Sequence, residues 1–348
     1  MFKIAYTNKS TNTSSNTSSN ISSNTSSNTS SNTSSNISSN TSSNTSSNPN
    51  PLVQSSLTNK NPNKPVLVDA PILVTFSTCW YIVKSKFPVT TFLEWITNLF
   101  SIINNFNLVL YTDIDGFNSL KPILITENYT KNQDKIKIII KPMSEFYGYK
   151  YKENWIRNHN TSNLFLHKKT DWQLNMMWCE KIHFVTNTIY NKYFNTRFYG
   201  WCDIGYFREL SSDKINALKS WPSPLTLLFN FPNKIHYGCI QKDQIKYKIL
   251  QDNVIKHYTY NNHITKKTVP CNSKYIQELC FAGGFFILTK QLAEIYRRLF
   301  DAKLQYYFNN RFTIKDDQQI IMDCIFTNPQ LFQIHFSENW FMFQELLL

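Results

Sequence analysis

The chain has 348 residues, a net charge of +13 and an aromatic fraction of 15%. Its most apolar run, residues 72–83, is too short to span a bilayer and carries Ser77 and Thr78 inside it. The lysines are scattered rather than packed into a basic arm, and neither Gly-x-Gly-x-x-Gly nor Gly-x-x-x-x-Gly-Lys-Ser/Thr occurs, which argues against a nucleic-acid arm, a dinucleotide oxidoreductase and a P-loop NTPase.

Residues 11–48 repeat Thr-Ser-Ser-Asn with a period of four, Ile twice replacing Thr. Such a stretch has almost no apolar surface to bury and cannot offset the entropy of ordering it. Residues 1–64 therefore read as a disordered polar tail, ending in the Pro/Asn-rich linker Asn59 to Pro65. Each repeat also spells an Asn-x-Ser glycosylation acceptor, for which simple repeat expansion is the plainer account. Residues 65–348 read as one large domain with an aromatic core, and residues 210–275 as an irregular insertion over its site. The seven cysteines, at 79, 179, 202, 239, 271, 280 and 324, form no Cys-x-x-Cys pair. Free buried thiols in a reducing, cytoplasmic compartment are expected.

Within the domain, Ile72 to Phe76 is a branched, apolar strand. Phe92, Trp95, Ile96, Leu99, Phe100 and Ile103 fall on one helical face, with Thr90 or Thr91 as cap. Asn107 to Thr112 and Lys135 to Ile140 are the next two strands. Thr170-Asp-Trp-Gln173 resembles a capping box and opens one long helix through Leu174, Met177, Trp178, Ile182, Val185 and Ile189. Phe198 to Cys202 is a buried strand running into Asp203. A glycine-broken apolar run, Cys280 to Leu288, leads to a helix capped by Thr289 with Leu292, Ile295 and Leu299 inward. A helix beginning at Asp316-Asp317-Gln318, with Thr313 as cap, and a final strand, Leu331 to His335, close the domain. This alternation predicts an α/β fold with a mostly parallel central sheet flanked by helices.

Candidate chemistry gathers at strand ends, because ligands of open α/β sheets bind outside the carboxyl ends of the strands. Asp203 ends a buried strand and is followed by Gly205. Asp316, Asp317 and Gln318 open a late helix and combine two acids with an amide, a set able to position a hydroxyl and take its proton; acids compensating a helix dipole explain most such pairs. Gly283 and Gly284 lie inside a strand, where glycine signals close approach of a ligand or of packed elements. Thr75, Phe76 and Thr78, at the end of the first strand, could meet a base and ribose. Asp113 takes a nucleotide-side role, although Asp113-Ile-Asp115-Gly116 also reads as an acid-rich turn. His335 becomes a candidate ligand only if Asp203 holds a divalent ion, which needs further donors.

The ordered set Ile72-Leu-Val-Thr-Phe, Phe92-Leu-Glu-Trp-Ile, Leu108-Val-Leu-Tyr-Thr-Asp113, Tyr199-Gly-Trp-Cys-Asp-Ile-Gly-Tyr206, Ala282-Gly-Gly-Phe-Phe286, Asp316-Asp-Gln318 and Pro329 to His335 resembles the bacterial HtrL/YibB family, associated with lipopolysaccharide biosynthesis. More distantly it is similar to GT-A-fold glycosyltransferases. The resemblance covers residues 71–345 and implies a GT-A-like nucleotide-sugar transferase. It puts Asp203 at the metal- and diphosphate-binding position, with Mn²⁺ or Mg²⁺ as cofactor and His335 as helper. It puts Asp316, Asp317 and Gln318 at the catalytic acceptor side, and Trp201, Gly205, Gly283 and Gly284 around the donor. The sequence departs from the transferase Asp-x-Asp in having Asp203-Ile-Gly205, with one carboxylate. Expected partners are a nucleotide-sugar donor and a glycan, lipid or protein hydroxyl. The alternatives are a catalytically inactive nucleotide- or sugar-binding module and, on charge alone, a basic nucleic-acid-binding protein.

Overall fold

Branched and aromatic residues dominate the strands of one sheet: β1 (Ile4–Tyr6), β2 (Val74–Cys79), β3 (Phe106–Thr112), β4 (Ile136–Ile140), β5 (Phe198–Cys202), β6 (Ile235–Cys239), β7 (Phe281–Thr289) and β8 (Phe332–Phe336). The computed structural model describes residues 4–6, 71–161, 164–241, 243–260 and 281–348. The Thr-Ser-Ser-Asn repeats, the linker, Cys271 and Cys280 lie outside the described residues. Ile4–Tyr6, expected to be part of the tail, pairs in parallel with β4 at the sheet edge.

The strand order is β1-β4-β3-β2-β5-β7-β6-β8. Neighbours are parallel except around β7, which runs antiparallel to both β5 and β6. The chain winds outward from β2 in two directions, to β3 and β4 on one side and to β5 on the other. The order therefore reverses between β2 and β5, where a crevice opens at the carboxyl ends of both strands.

Both faces are covered, as a mostly parallel sheet requires. The helices are α1 (Val89–Ser101), α2 (Ile114–Leu120), α3 (Glu127–Asn132), α4 (Lys152–Thr161), α5 (Phe165–Lys169), α6 (Trp172–Cys179), α7 (Lys181–Tyr190), α8 (Ser212–Ala217), α9 (Thr226–Asn230), α10 (Gln244–Tyr260), α11 (Lys290–Asn309), α12 (Asp317–Thr327) and α13 (Phe343–Leu346). Alternation along β3 feeds two cores. Val109 and Tyr111 join α6, α7, α11 and α12 on one face. Leu108 and Leu110 join Ile96, Leu99 and Phe100 of α1 on the other. Phe76 is fully buried in the second core, with ring centres of Phe106, Trp221 and Phe285 at 5.4, 5.3 and 5.3 Å.

Several local expectations change. The helix expected through residues 174–189 is two helices, broken at Glu180, whose buried carboxylate turns away to accept the backbone N–H groups of Tyr147 and Gly148 at 2.6 and 3.0 Å. The cap of α6 is Asp171, accepting from the Leu174 N–H at 3.0 Å, one residue past the expected Thr170. Pro88 precedes α1, so Thr90 and Thr91 lie inside that helix. On α11, Tyr296 and Phe300 are buried, whereas Ile295 is exposed. Within residues 210–275, expected as an insertion over the site, β6 sits inside the sheet between β7 and β8, and residues 261–275 lie outside the described residues. Its sequence, Ile-His-Tyr-Gly-Cys, mixes polar and apolar residues too evenly to announce a strand. Among the described residues no helix is long and apolar enough to cross a membrane.

Candidate active site

The crevice between the ends of β2 and β5 widens into a cavity of about 580 Å³. That volume suits a small-molecule ligand. Trp80 and Tyr81 follow β2 at its wall, Asp203 and Gly205 follow β5, Gly283 and Gly284 come from β7, and Asp316, Asp317 and Gln318 come from the start of α12.

Lys181, which no sequence signal singled out, ties these elements together. Its Nζ lies 3.2 Å from Asp203 Oδ1 and 2.9 Å from Asp317 Oδ2, and donates to the Gly283 carbonyl at 2.8 Å. Three partners use all three donors of an ammonium. Burial alone would lower the Lys181 pKa, but the charges of Asp203 and Asp317 outweigh it and hold it above the ordinary lysine value. A lysine in the first turn of α7 opposes the helix dipole, so the two acids are what favour it there. A signal was available: Glu180 and Lys181 are the only two charged residues in the stretch 174–189.

Asp203 is oriented twice. Trp201, buried in β5, donates its indole N–H to Oδ1 at 2.5 Å, and the Asp203 N–H donates to the Gly284 carbonyl at 2.8 Å. Its side chain remains 35% exposed, so a solute can reach it. Asp317 is almost fully buried. Burial pushes its carboxyl up to about 6, against the pull of Lys181 and helped by the neighbouring charge of Asp316. Burial likewise raises Asp316, opposed by Lys315 and Lys181. Asp316 precedes α12 without capping it through its side chain, and its buried Oδ1 has no hydrogen-bond partner. Dipole compensation accounts for the position of these acids and leaves that oxygen unexplained.

The two β7 glycines make room for these carboxylates. A Cβ on Gly283 would stand 2.9 Å from Asp317 Oδ2, and one on Gly284 3.2 Å from Asp203 Oδ2. The close approach that glycine signals is thus made by acids of the site itself. Gly205 serves similarly, since a Cβ there would stand 2.6 Å from the Trp95 ring. The Arg208 guanidinium lies between the faces of Trp95 and Phe341, 4.9 and 5.0 Å from their centres, and donates its Nε–H to the Gly205 carbonyl at 2.9 Å. The Lys86 ammonium lies 5.7 Å from the centre of the Trp178 ring. These residues give the cavity aromatic walls with two further cations.

Other expected site residues lie elsewhere. Thr75, Phe76 and Thr78 are fully buried, and Thr75 bonds Thr196 at 2.8 Å. The strand runs on to Cys79, three residues past its expected end, so Trp80 and Tyr81 reach the cavity instead. Asp113 is the cap of α2, accepting from the Gly116 N–H at 2.9 Å, as its turn-like sequence allowed. His335 stacks on His236, with Nε2 and Nδ1 3.1 Å apart. It is on β8, three strands from β5 and hence about 14 Å away across the sheet, so it does not share an ion with Asp203.

A divalent ion is therefore poorly served. Among the described residues no cluster of three His, Cys, Asp or Glu is arranged to hold one. An ion shared by Asp203 and Asp317 would meet the Lys181 ammonium. At about 4 Å and an effective dielectric near 20, charges of +1 and +2 repel by roughly 8 kcal/mol. The residues present fit a protonated amine at that point and do not fit a metal beside it.

No family model and no curated protein matches this sequence. Solved structures do match at low similarity. The galactosyltransferase LgtC, bound to donor and acceptor sugar analogues, is 9% identical over 75% of this chain and 72% of its own, with a TM-score of 0.35. The mannosyltransferase Ktr4p of S. cerevisiae is 11% identical over 76% of this chain and 68% of its own, with a TM-score of 0.39.

Proposed function

We propose that the domain is a GT-A-like glycosyltransferase, which moves a sugar from a nucleoside diphosphate donor to a hydroxyl acceptor. The HtrL/YibB resemblance belongs to the same reading. The observation that carries it is the convergence, in one cavity at the point where the strand order reverses, of Asp203 with the Asp316–Asp317 pair. Asp203 keeps an accessible carboxylate oxygen for donor hydroxyls. The Asp316 carboxylate, at the cavity lining, accepts the proton of the incoming hydroxyl as the hydroxyl oxygen bonds to the anomeric carbon. The bond from that carbon to the diphosphate breaks, and its electron pair leaves with the diphosphate. Asp317 holds Lys181 in place. Arg208 and Lys86 supply positive charge at the wall for the leaving diphosphate, and the aromatic walls suit a base or a sugar ring.

The test is a panel of nucleotide sugars offered to the full chain, read by thermal shift and by release of nucleoside diphosphate. A subset should raise the melting temperature and be turned over, with turnover lost in Asp203→Asn and Asp316→Asn. If no nucleotide sugar shifts the melting curve or is consumed, the reading fails. One observation favours a second reading, a binding module without turnover: a single ammonium engages two of the acids. Calorimetric binding of a donor with no release of diphosphate would select it.

A further inference from the structure

We infer that Lys181 is the built-in cation of this site, standing where a divalent ion would otherwise bridge Asp203 and Asp317, so that the site works without a metal. The argument is geometric. The ammonium has three donors and three oxygen partners, at 2.8, 2.9 and 3.2 Å, drawn from three separate elements: β7, α12 and the end of β5. Those are the oxygens a metal would need: two carboxylates and a backbone carbonyl. Lys181 is buried, and it starts α7, which packs on β2 and β5, so its backbone is fixed on the strands that form the cavity. The glycines of β7 open the space in which Asp317 and Asp203 approach it. The missing second acid of the Asp-x-Asp pattern follows naturally. A monovalent cation on a covalent tether needs fewer anionic donors than a free divalent ion, which must also be captured from solution.

One consequence rests on the sugar-transfer reading: a diphosphate would be met by Arg208 and Lys86 rather than by Mn²⁺ or Mg²⁺. The cation assignment itself does not depend on that reading, and its first test, Mn²⁺ binding, uses no nucleotide or sugar.

The experiment is a titration of the full-length chain with MnCl₂, followed by the loss of the free-ion signal in electron paramagnetic resonance. The wild-type protein should show no Asp203-dependent Mn²⁺ site. Lys181→Ala should create one, binding at least tenfold more tightly than wild type, because two carboxylates and a carbonyl are then released. Adding Asp203→Asn to Lys181→Ala should remove it. Lys181→Met, which keeps the aliphatic stem and fills the space, should bind less Mn²⁺ than Lys181→Ala. An Asp203-dependent Mn²⁺ site in the wild-type protein overturns the inference even if every lysine variant fails to fold. Failure of folded Lys181→Ala to gain a site overturns it as well. In parallel, the melting-temperature shift produced by uridine or guanosine diphosphate should be the same in EDTA as in MnCl₂. A shift seen only with Mn²⁺ would also sink the inference, while no shift in either condition counts against the sugar-transfer reading alone.

Discussion

Two buried lysine–carboxylate clusters in this molecule use the same groups to different ends. In the first, Lys181 is shared between Asp203 and Asp317 at the floor of the cavity. In the second, Lys303 lies 2.8 Å from Asp323, whose other oxygen accepts from the hydroxyls of Tyr258 and Tyr307 at 2.6 and 3.1 Å. Asp323 is fully buried, and the Lys303 ammonium also lies 3.6 Å from the Tyr258 ring centre. The second cluster is closed, with each carboxylate oxygen engaged, and it joins α10, α11 and α12. The first is open, with Asp203 exposed to the cavity and the Asp316 and Asp317 carboxylates at its lining. A closed pair serves the fold, whereas an open one keeps acceptors free for a ligand.

The largest effect should come from opening the closed cluster. Lys303→Met leaves Asp323 charged and buried without its partner, which typically costs about 3–5 kcal/mol. Urea unfolding should show that loss, with ligand-induced melting shifts unchanged in size. Lys181→Met should cost clearly less, because Asp203 reaches solvent and Asp317, already pushed up to about 6, can take a proton. Equal losses in the two variants would dissolve the distinction.

Next in size is Asp203→Asn. It should lower turnover of a donor at least ~100-fold, about 2.7 kcal/mol of transition-state stabilisation. Its stability should stay within about 1 kcal/mol of wild type, since the group is partly exposed and the amide oxygen can still accept from Trp201. Asp323→Asn should show the reverse pattern, measured by the same two assays.

The contrast between the clusters also separates what the sequence revealed from what it hid. The strands carried their own signal, since runs such as Asn107 to Thr112 and Phe198 to Cys202 are branched or aromatic and bounded by breakers. Asp203 was legible as an acid ending an apolar strand, Gly283 and Gly284 as glycines inside one, and the Asp316–Gln318 set as acids opening a helix. Lys181 was hidden because a charged residue on a helix reads as surface, and its partners lie 22 and 136 positions away by residue number. Pairing of that span is a property of topology, not of local pattern. Thr75, Phe76 and Thr78 were misplaced for a related reason. β2 continues to Cys79 because β3 pairs with it that far, even though β5 pairs only to Ser77, and polar Ser77 and Thr78 gave no hint of it.

A third cluster, apart from the cavity, provides a pH test. Burial lowers both His236 and His335 to about 4, with the charge of His335 adding to the effect on His236. Folded-state values below the unfolded value near 6.5 mean that the unfolded chain takes up protons first. Stability from this pair is therefore fully present above about pH 6.5 and is lost as pH falls toward 4. Asp317 has the opposite sign: its raised value makes the folded state bind a proton sooner, which favours folding as pH falls through about 6. Between pH 7.5 and 5 the histidine pair should lower stability by roughly 4 kcal/mol, about 2 for each ring. His335→Gln should reduce that loss in parallel urea titrations, while donor turnover should fall at low pH in both proteins as the site acids take up protons.

The smallest effects should come from Gly283 and Gly284, and they separate the acids of the open cluster from each other. A methyl group at Gly283 meets the buried carboxylate of Asp317, which is held by Lys181 and has little room to move. Gly283→Ala should cost about 1 kcal/mol of stability by displacing that ion pair. A methyl group at Gly284 meets Asp203, whose partly exposed side chain can swing toward the cavity, so Gly284→Ala should be nearly neutral for folding and should weaken donor binding instead. Gly200→Ala is the control for the sheet itself. Its methyl group would collide with the Phe286 carbonyl on the neighbouring strand, where backbone cannot yield, so it should be the most destabilising of the three. If Gly284→Ala instead matches Gly200→Ala in urea and leaves donor binding untouched, Asp203 belongs with the closed cluster and the cavity has lost its floor.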